Sequence, residues 1–166
     1  LIFVTVGTHE QQFNRVVKEI DELKKNNIIN EDVFIQTGYC TYKPEYCKVK
    51  DVISYDEMDY YTQNARIVIT HGGPGSIFQA IQYGKKPIVV PRNPKFDEHV
   101  DDHQIKFSKR MANNDRVDLV LDINDLKDRI VNYKGYNANT NSGSEDINRF
   151  IIEFDNIVSD LFNGGR

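Results

Sequence analysis

Apolar positions in this chain follow two rhythms. Continuous runs such as Ile2-Phe3-Val4-Thr5-Val6 and Ala65-Arg66-Ile67-Val68-Ile69-Thr70 have the composition of short strands, the first buried on both faces. Between the runs, apolar residues recur every three or four positions, as in Phe13, Val16, Val17, Ile20 and Leu23, which is one face of a helix. This pattern predicts strands near Ile2 to Val6, Asp32 to Thr37, Lys48 to Ile53, Ala65 to Thr70, Lys86 to Val90 and Arg116 to Leu121. Helices are predicted near Gln11 to Asn26, Asp56 to Asn64, from Pro74 to before Gly84, Asp101 to Ala112, and around Leu126 and Ile130. Strands alternating with helices imply an open α/β sheet, mostly parallel and six-stranded, with helices on both faces.

The end of the chain has a different texture. Tyr133 to Ser144 reads as a linker rich in Asn, Thr, Ser and Gly, which leaves residues 1–132 as the domain and 145–166 as a terminal segment. That segment is an amphipathic helix, because Ile147, Phe150, Ile151, Phe154, Ile157 and Leu161 fall on one stripe. Ser142 or Ser144 suits its start, and Asn163-Gly164-Gly165 its end. The stripe fits two arrangements: packing on this domain, or packing on another polypeptide.

Two glycine turns sit where strands give way to helices. Ala65 to Thr70 runs directly into His71-Gly72-Gly73-Pro74-Gly75-Ser76, with Pro74 at a position where a helix needs no N–H. A turn of this kind lets backbone approach an anion, and the helix start adds unpaired N–H groups and the positive dipole end. Gly7-Thr8 breaks the first strand in the same way, and Thr8-His9-Glu10-Gln11 has the form of a capping box. In a doubly wound sheet of order 3-2-1-4-5-6, strands one and four are neighbours and both turns flank the crevice between them.

Composition narrows the partners. The chain has 166 residues, 39% of them hydrophobic, enough for one domain with a sizeable core, and it has no hydrophobic run of membrane-spanning length. The apolar start lacks a basic flank, and Cys40 and Cys47 suit two free thiols, so a cytoplasmic location is expected. The net charge of −4 argues against nucleic acid as a partner, so any phosphate binding has to be local. Arg92, Lys95, Lys85 and Lys86 are the nearby cations. His99 and His103 are four apart, as two metal ligands on a helix would be, but a third ligand is missing and no metal is expected.

With both turns, Gln79 three after Ser76, and the stretch Pro91 to Gln104 in view, the chain resembles the carboxyl-terminal half of glycosyltransferase family 28. The likeness covers nearly the whole chain, and is greatest to small subunits of two-part enzymes. It implies the Rossmann-like carboxyl-terminal half of a GT-B fold, which holds the nucleotide-sugar while another half holds the acceptor. It also implies that His71, Gly72, Gly73, Gly75 and Ser76 contact the diphosphate, with Gly7 and Thr8 beside the phosphates or the sugar. Gln79 stands where relatives commonly have Glu on the ribose, a departure that loses a charge-assisted bond. Gln104 is expected on the sugar hydroxyls, with His103, Glu98 and His99 beside it.

The function implied is the donor-binding catalytic subunit of an inverting UDP-sugar transferase that builds capsule or exopolysaccharide on a lipid-linked saccharide. Its partner is a membrane-associated acceptor-binding subunit, which supplies the general base; His9 is the candidate within this chain. No cofactor is expected beyond the UDP-sugar itself. Two rival readings are a nucleotide-sugar-binding or assembly module without turnover, and a dinucleotide-dependent oxidoreductase. The second is weakened because Gly7-Thr8-His9-Glu10 lacks the Gly-x-Gly-x-x-Gly spacing.

Overall fold

The computed structural model describes residues 1–135 and 144–163. Six strands, β1 (Ile2–Thr5), β2 (Val33–Gln36), β3 (Lys48–Lys50), β4 (Ile67–Thr70), β5 (Ile88–Val89) and β6 (Asp118–Leu119), form one sheet. Its order is β3-β2-β1-β4-β5-β6, and every pairing is parallel. The helices are α1 (Asn14–Lys25), α2 (Tyr55–Asn64), α3 (Pro74–Gln82), α4 (His103–Asn113), α5 (Leu126–Val131) and α6 (Ser144–Val158), the last continuing as a π turn through Ser159–Asn163. The expected α/β class and winding order are therefore present. β1 pairs in register with both β2 and β4, so the ends of β1 and β4 lie side by side.

Alternation along the strands assigns each helix to a face. Ile2, Val4, Ile67 and Ile69 point into a core with Val16 and Ile20 of α1 and Leu126 of α5. Phe3 and Val68 point the other way, toward Ala80 of α3 and Met58 of α2. Since helices cover both sides, all four residues of β1, β2 and β4 are buried, as parallel strands require. β3, by contrast, is exposed at every position, and its Lys48 and Lys50 put charge on the sheet edge, which discourages pairing with another chain.

Some boundaries move inward. α1 begins at Asn14, with Phe13 at its cap and no side-chain capping bond, so the Thr8/Gln11 capping box does not form. The competing partners are visible: Gln11 and Gln12 give their carbonyls to Arg92, and the Gln11 amide meets His9. A capping box occurs instead at α2, where Ser54 Oγ accepts from Glu57 N at 3.1 Å and Glu57 accepts from Ser54 N at 2.8 Å. β3 stops at Lys50 because the next carbonyl, of Asp51, bonds Gly38 N–H and Gln36. α4 begins at His103, whose N–H is taken by the Asp101 carboxylate at 3.1 Å.

The terminal helix packs on its own domain. Phe150 and Ile157 are buried with Ile77 of α3 and Phe107 and Met111 of α4, and Phe154, Val158 and Leu161 pack at the margin. Arg116 lies over the Phe150 ring at 5.2 Å and pairs with Glu153. Of the two arrangements the stripe allowed, this face is thus occupied from within, through the α3–α4 layer. Ile151, expected on the stripe, lies at its margin and is exposed, as is Ile152 beyond it. Residues 136–143 of the expected linker, its Ser142 cap, the Ile147 side chain and the Gly164-Gly165 stop lie outside the described residues.

Candidate functional site

The two glycine turns meet at the carboxyl ends of β1 and β4. Gly7 has φ +79°, a left-handed conformation that disfavours a side chain. Its backbone is held by Gln36, which accepts from Gly7 N at 3.2 Å and donates to Gly7 O at 3.1 Å. Thr5 donates to the same Gln36 oxygen, and Gln36 Nε2 reaches Asp51 O, so one buried amide ties the first turn to the end of β3. Sequence reading passed over Gln36, although a polar residue ending an apolar strand was a visible signal.

His71 fills the space between the turns. A β-carbon on Gly7 would come within 2.6 Å of His71 Nε2, and one on Gly73 within 2.2 Å of His71 Cε1, so both glycines leave room for this ring. Gly73 N–H donates to His71 Nδ1 at 3.1 Å, which in the neutral ring assigns the proton to Nε2, the nitrogen facing Ser76 Oγ at 3.4 Å. Burial first, and the positive charge of Arg92 second, hold the His71 pKa down to about 3. The imidazole is therefore a neutral N–H donor at neutral pH.

The helix behind it begins with further donors. Pro74 contributes no N–H, and Ile77 is the first residue whose N–H reaches a helical carbonyl, that of Gly73. Gly75 and Ser76 N–H have no carbonyl four residues back within the helix. Space is also available there, since a β-carbon on Gly75 would meet nothing within 4 Å. Gly72 is the opposite case: a β-carbon would collide with Gln104 O at 2.8 Å and Ser108 Oγ at 2.7 Å, so this glycine lets α4 close against the turn. His71 Nε2, the Ser76 hydroxyl and the first α3 amides thus form a set of neutral donors suited to a phosphate group.

The stretch from Pro91 to Gln104 forms the opposite wall, and Arg92 anchors it. Instead of reaching a surface anion, Arg92 is fully buried. Its guanidinium donates to the carbonyls of Val6 at 2.7 Å, Gln11 at 2.8 Å and Glu98 at 3.0 Å, and lies over the Phe13 ring. Lys86 also points away from the turns, pairing with Asp115 and Asp118, and Lys85 donates to Ala65 O. Glu98 is 1% exposed, with both oxygens on Arg15 at 2.9 and 3.0 Å and a further bond from Asn93 N–H. Its carboxylate is engaged in holding this wall.

The remaining expected site residues divide between the lip and the wall. His9 and His99 stack at the lip, ring centroids 4.4 Å apart and nearly parallel, and His99 and His103 both approach the Asp101 carboxylate. His103 also meets the Phe162 ring of the terminal segment edge-on. All four histidines of the chain therefore gather around one crevice. Gln104 is nearly buried; its oxygen accepts from Arg92 N at 3.2 Å and its side chain bonds His71, so it lies behind the ring. Gln79 is one turn along α3, where its amide donates to Asp59 of α2 at 3.4 Å and Tyr83 donates to the same carboxylate. Asp59 escaped sequence reading because its proximity to Gln79 arises only from the packing of α2 on α3. Among the described residues, no group of three or more His, Cys, Asp or Glu is placed to hold a metal ion.

The low pKa of His71 makes acid stability a test of this geometry. Unfolded, His71 takes a proton near its ordinary 6.5, and folded only near 3, so the unfolded state binds more protons between these values. Stability is then full above the upper value and declines as pH falls toward the lower one. His99, also lowered by burial, has the same sign. The urea midpoint is expected to drop between about pH 7 and about pH 5, with His71→Asn flattening the decline. A midpoint constant over that range would contradict a neutral His71.

Comparison with known proteins gives a concordant result. The chain matches the glycosyltransferase family 28 C-terminal domain over residues 1–149. It is 32% identical over 117 residues to a human protein, the UDP-N-acetylglucosamine transferase subunit ALG13. That alignment covers 66% of this chain and 10% of the human protein, so the chain spans about a tenth of its length. The family match takes in both glycine turns and the entire six-stranded sheet, and this chain belongs to the glycosyltransferase family 28 C-terminal domain.

Proposed function

We propose that this chain is the donor-binding catalytic subunit of an inverting UDP-sugar glycosyltransferase. The observation that carries the reading is the meeting of the two glycine turns across one crevice, with a neutral His71 donor between them and the first amides of α3 beside it. Family membership and likeness to a UDP-N-acetylglucosamine transferase subunit support a UDP-sugar as the ligand and a partner subunit as the acceptor-binding half. The acceptor is a lipid-linked saccharide in capsule or exopolysaccharide synthesis. No helix among the described residues is long and apolar enough to cross a membrane, so the proposed membrane association comes through the partner, on the cytoplasmic face.

In this mechanism the diphosphate rests on Gly75 and Ser76 N–H, the Ser76 hydroxyl and His71 Nε2–H. These donors are fixed before the sugar–phosphate bond breaks, so they stabilise the charge that develops on the departing UDP without reorganising. An acceptor hydroxyl attacks the anomeric carbon from the opposite side, which inverts it. The partner supplies the base that takes the hydroxyl proton. His9, stacked on His99 at the lip, is the group of this chain assigned to that edge.

Calorimetry of the chain with UDP, ADP and NAD, each with and without a chelator, tests the donor assignment. UDP is expected to bind, with preference over ADP and NAD, and with an affinity that survives chelation because the donors belong to the protein. Preference for NAD, or loss of UDP binding on chelation, would contradict the assignment.

A further inference from the structure

Arg92 is the largest fully buried side chain in the described structure, and burying a guanidinium is costly unless it is paired and hydrogen-bonded. Its hydrogen bonds run to backbone carbonyls of Val6, Gln11, Gln12 and Glu98, which are neutral acceptors. The carboxylate of Glu98, whose charge acts on Arg92, is gripped by both arms of Arg15. Two buried or half-buried arginines therefore share one carboxylate, leaving an excess positive charge behind the first glycine turn. Arginine keeps its proton at any ordinary pH, so this charge is permanent. It is also close to the crevice: Arg92 bonds the carbonyl immediately before Gly7, its own N–H holds Gln104, and its field acts on the His71 ring.

We infer that Arg92 is a positioning residue of the anion site, whose buried charge, held beneath the two glycine turns by backbone carbonyls, attracts a diphosphate that it never touches. The inference rests on the donor-site reading above and adds a charge to a set of donors that is otherwise neutral. A charge in a low-dielectric wall acts over longer range than one in water, and carbonyl ligands keep it from being neutralised by a counter-ion. The same charge disfavours an imidazolium at His71, so that ring stays a neutral donor.

The test compares Arg92→Lys, which keeps the charge, with Arg92→Met, which keeps much of the volume and loses it. UDP and inorganic pyrophosphate are titrated into each by calorimetry, and the His71 ring is titrated by NMR in the ligand-free proteins. Arg92→Met is expected to weaken both ligands by about tenfold or more and to raise the His71 midpoint. Arg92→Lys is expected to stay within about threefold of wild type, with His71 unmoved. A purely structural Arg92 predicts the reverse ranking, because lysine cannot span the carbonyl set, and equal losses in the two variants would overturn the proposal.

If Arg92→Met does not fold, Arg92→Lys decides: UDP affinity within about threefold of wild type with His71 unmoved supports the proposal, and a loss beyond about tenfold overturns it. Wild-type binding of pyrophosphate but not UDP would overturn the nucleotide reading and leave the Arg92 comparison to be read on pyrophosphate. Binding of neither would overturn both.

Discussion

Phe150→Ala is expected to lower the unfolding free energy by about 3 kcal/mol, the usual cost of cutting a buried phenylalanine down to a methyl group. The ring is 3% exposed, packs on Phe78 at 5.7 Å, and carries the Arg116 guanidinium on its face. Removing it opens a cavity between α6, α3 and α4 and takes away the ring face on which Arg116 lies. Ending the chain at Gly143 goes further, because Ile77, Phe107 and Met111 then lose the helix that covers them. That truncated chain is expected to aggregate, or to melt well below the full-length protein. Urea unfolding of the variant and thermal melting of the truncation are the measurements. Unchanged stability in both would mean that α6 is free to serve another polypeptide.

Gly72→Ala and Gly75→Ala are expected to fail in opposite ways, although the two glycines are three residues apart. At Gly72 the new methyl group meets the Gln104 backbone, which cannot swing aside as a flexible side chain would. The variant should lose about 2 kcal/mol of stability as α4 is pushed from the turn. At Gly75 the methyl group enters open space on the first turn of α3, and alanine is the better helix former, so stability should hold or rise by up to about 1 kcal/mol. That open space is the proposed phosphate position. UDP affinity should therefore fall by about tenfold or more in Gly75→Ala, while the fold is intact. Urea midpoints paired with UDP calorimetry separate the outcomes. Normal UDP affinity in a stable Gly75→Ala protein would place the diphosphate elsewhere.

Much of the architecture was legible because it is local. The run from Ile67 to His71 and the Gly73-Pro74 step mark a strand, a turn and a helix within ten residues, and the winding order then brings the first turn beside it. Long-range events were hidden. Nothing near Arg92 in sequence distinguishes a guanidinium that will be buried on the carbonyls of Val6 and Gln11, more than eighty residues away, from one left in solvent. Glu98 read as a sugar contact because its pairing with Arg15 depends on α1 lying against this wall. The start of α1 was misplaced for a related reason, since Thr8 and Gln11 have the right spacing for a capping box while Arg92 and His9 claim the same backbone and side chain. For the terminal stripe, periodicity gave the helix but not the surface it would cover.

The account rests on a diphosphate lying between the two glycine turns, and an amide-resolved NMR titration of the full chain with UDP reads that location directly. The largest shifts are expected at Gly7, Thr8, Gly73, Gly75 and Ser76, together with the His71 ring, while the exposed edge strand from Lys48 to Lys50 stays still. Saturable binding that leaves those amides unmoved and shifts another part of the domain would contradict it.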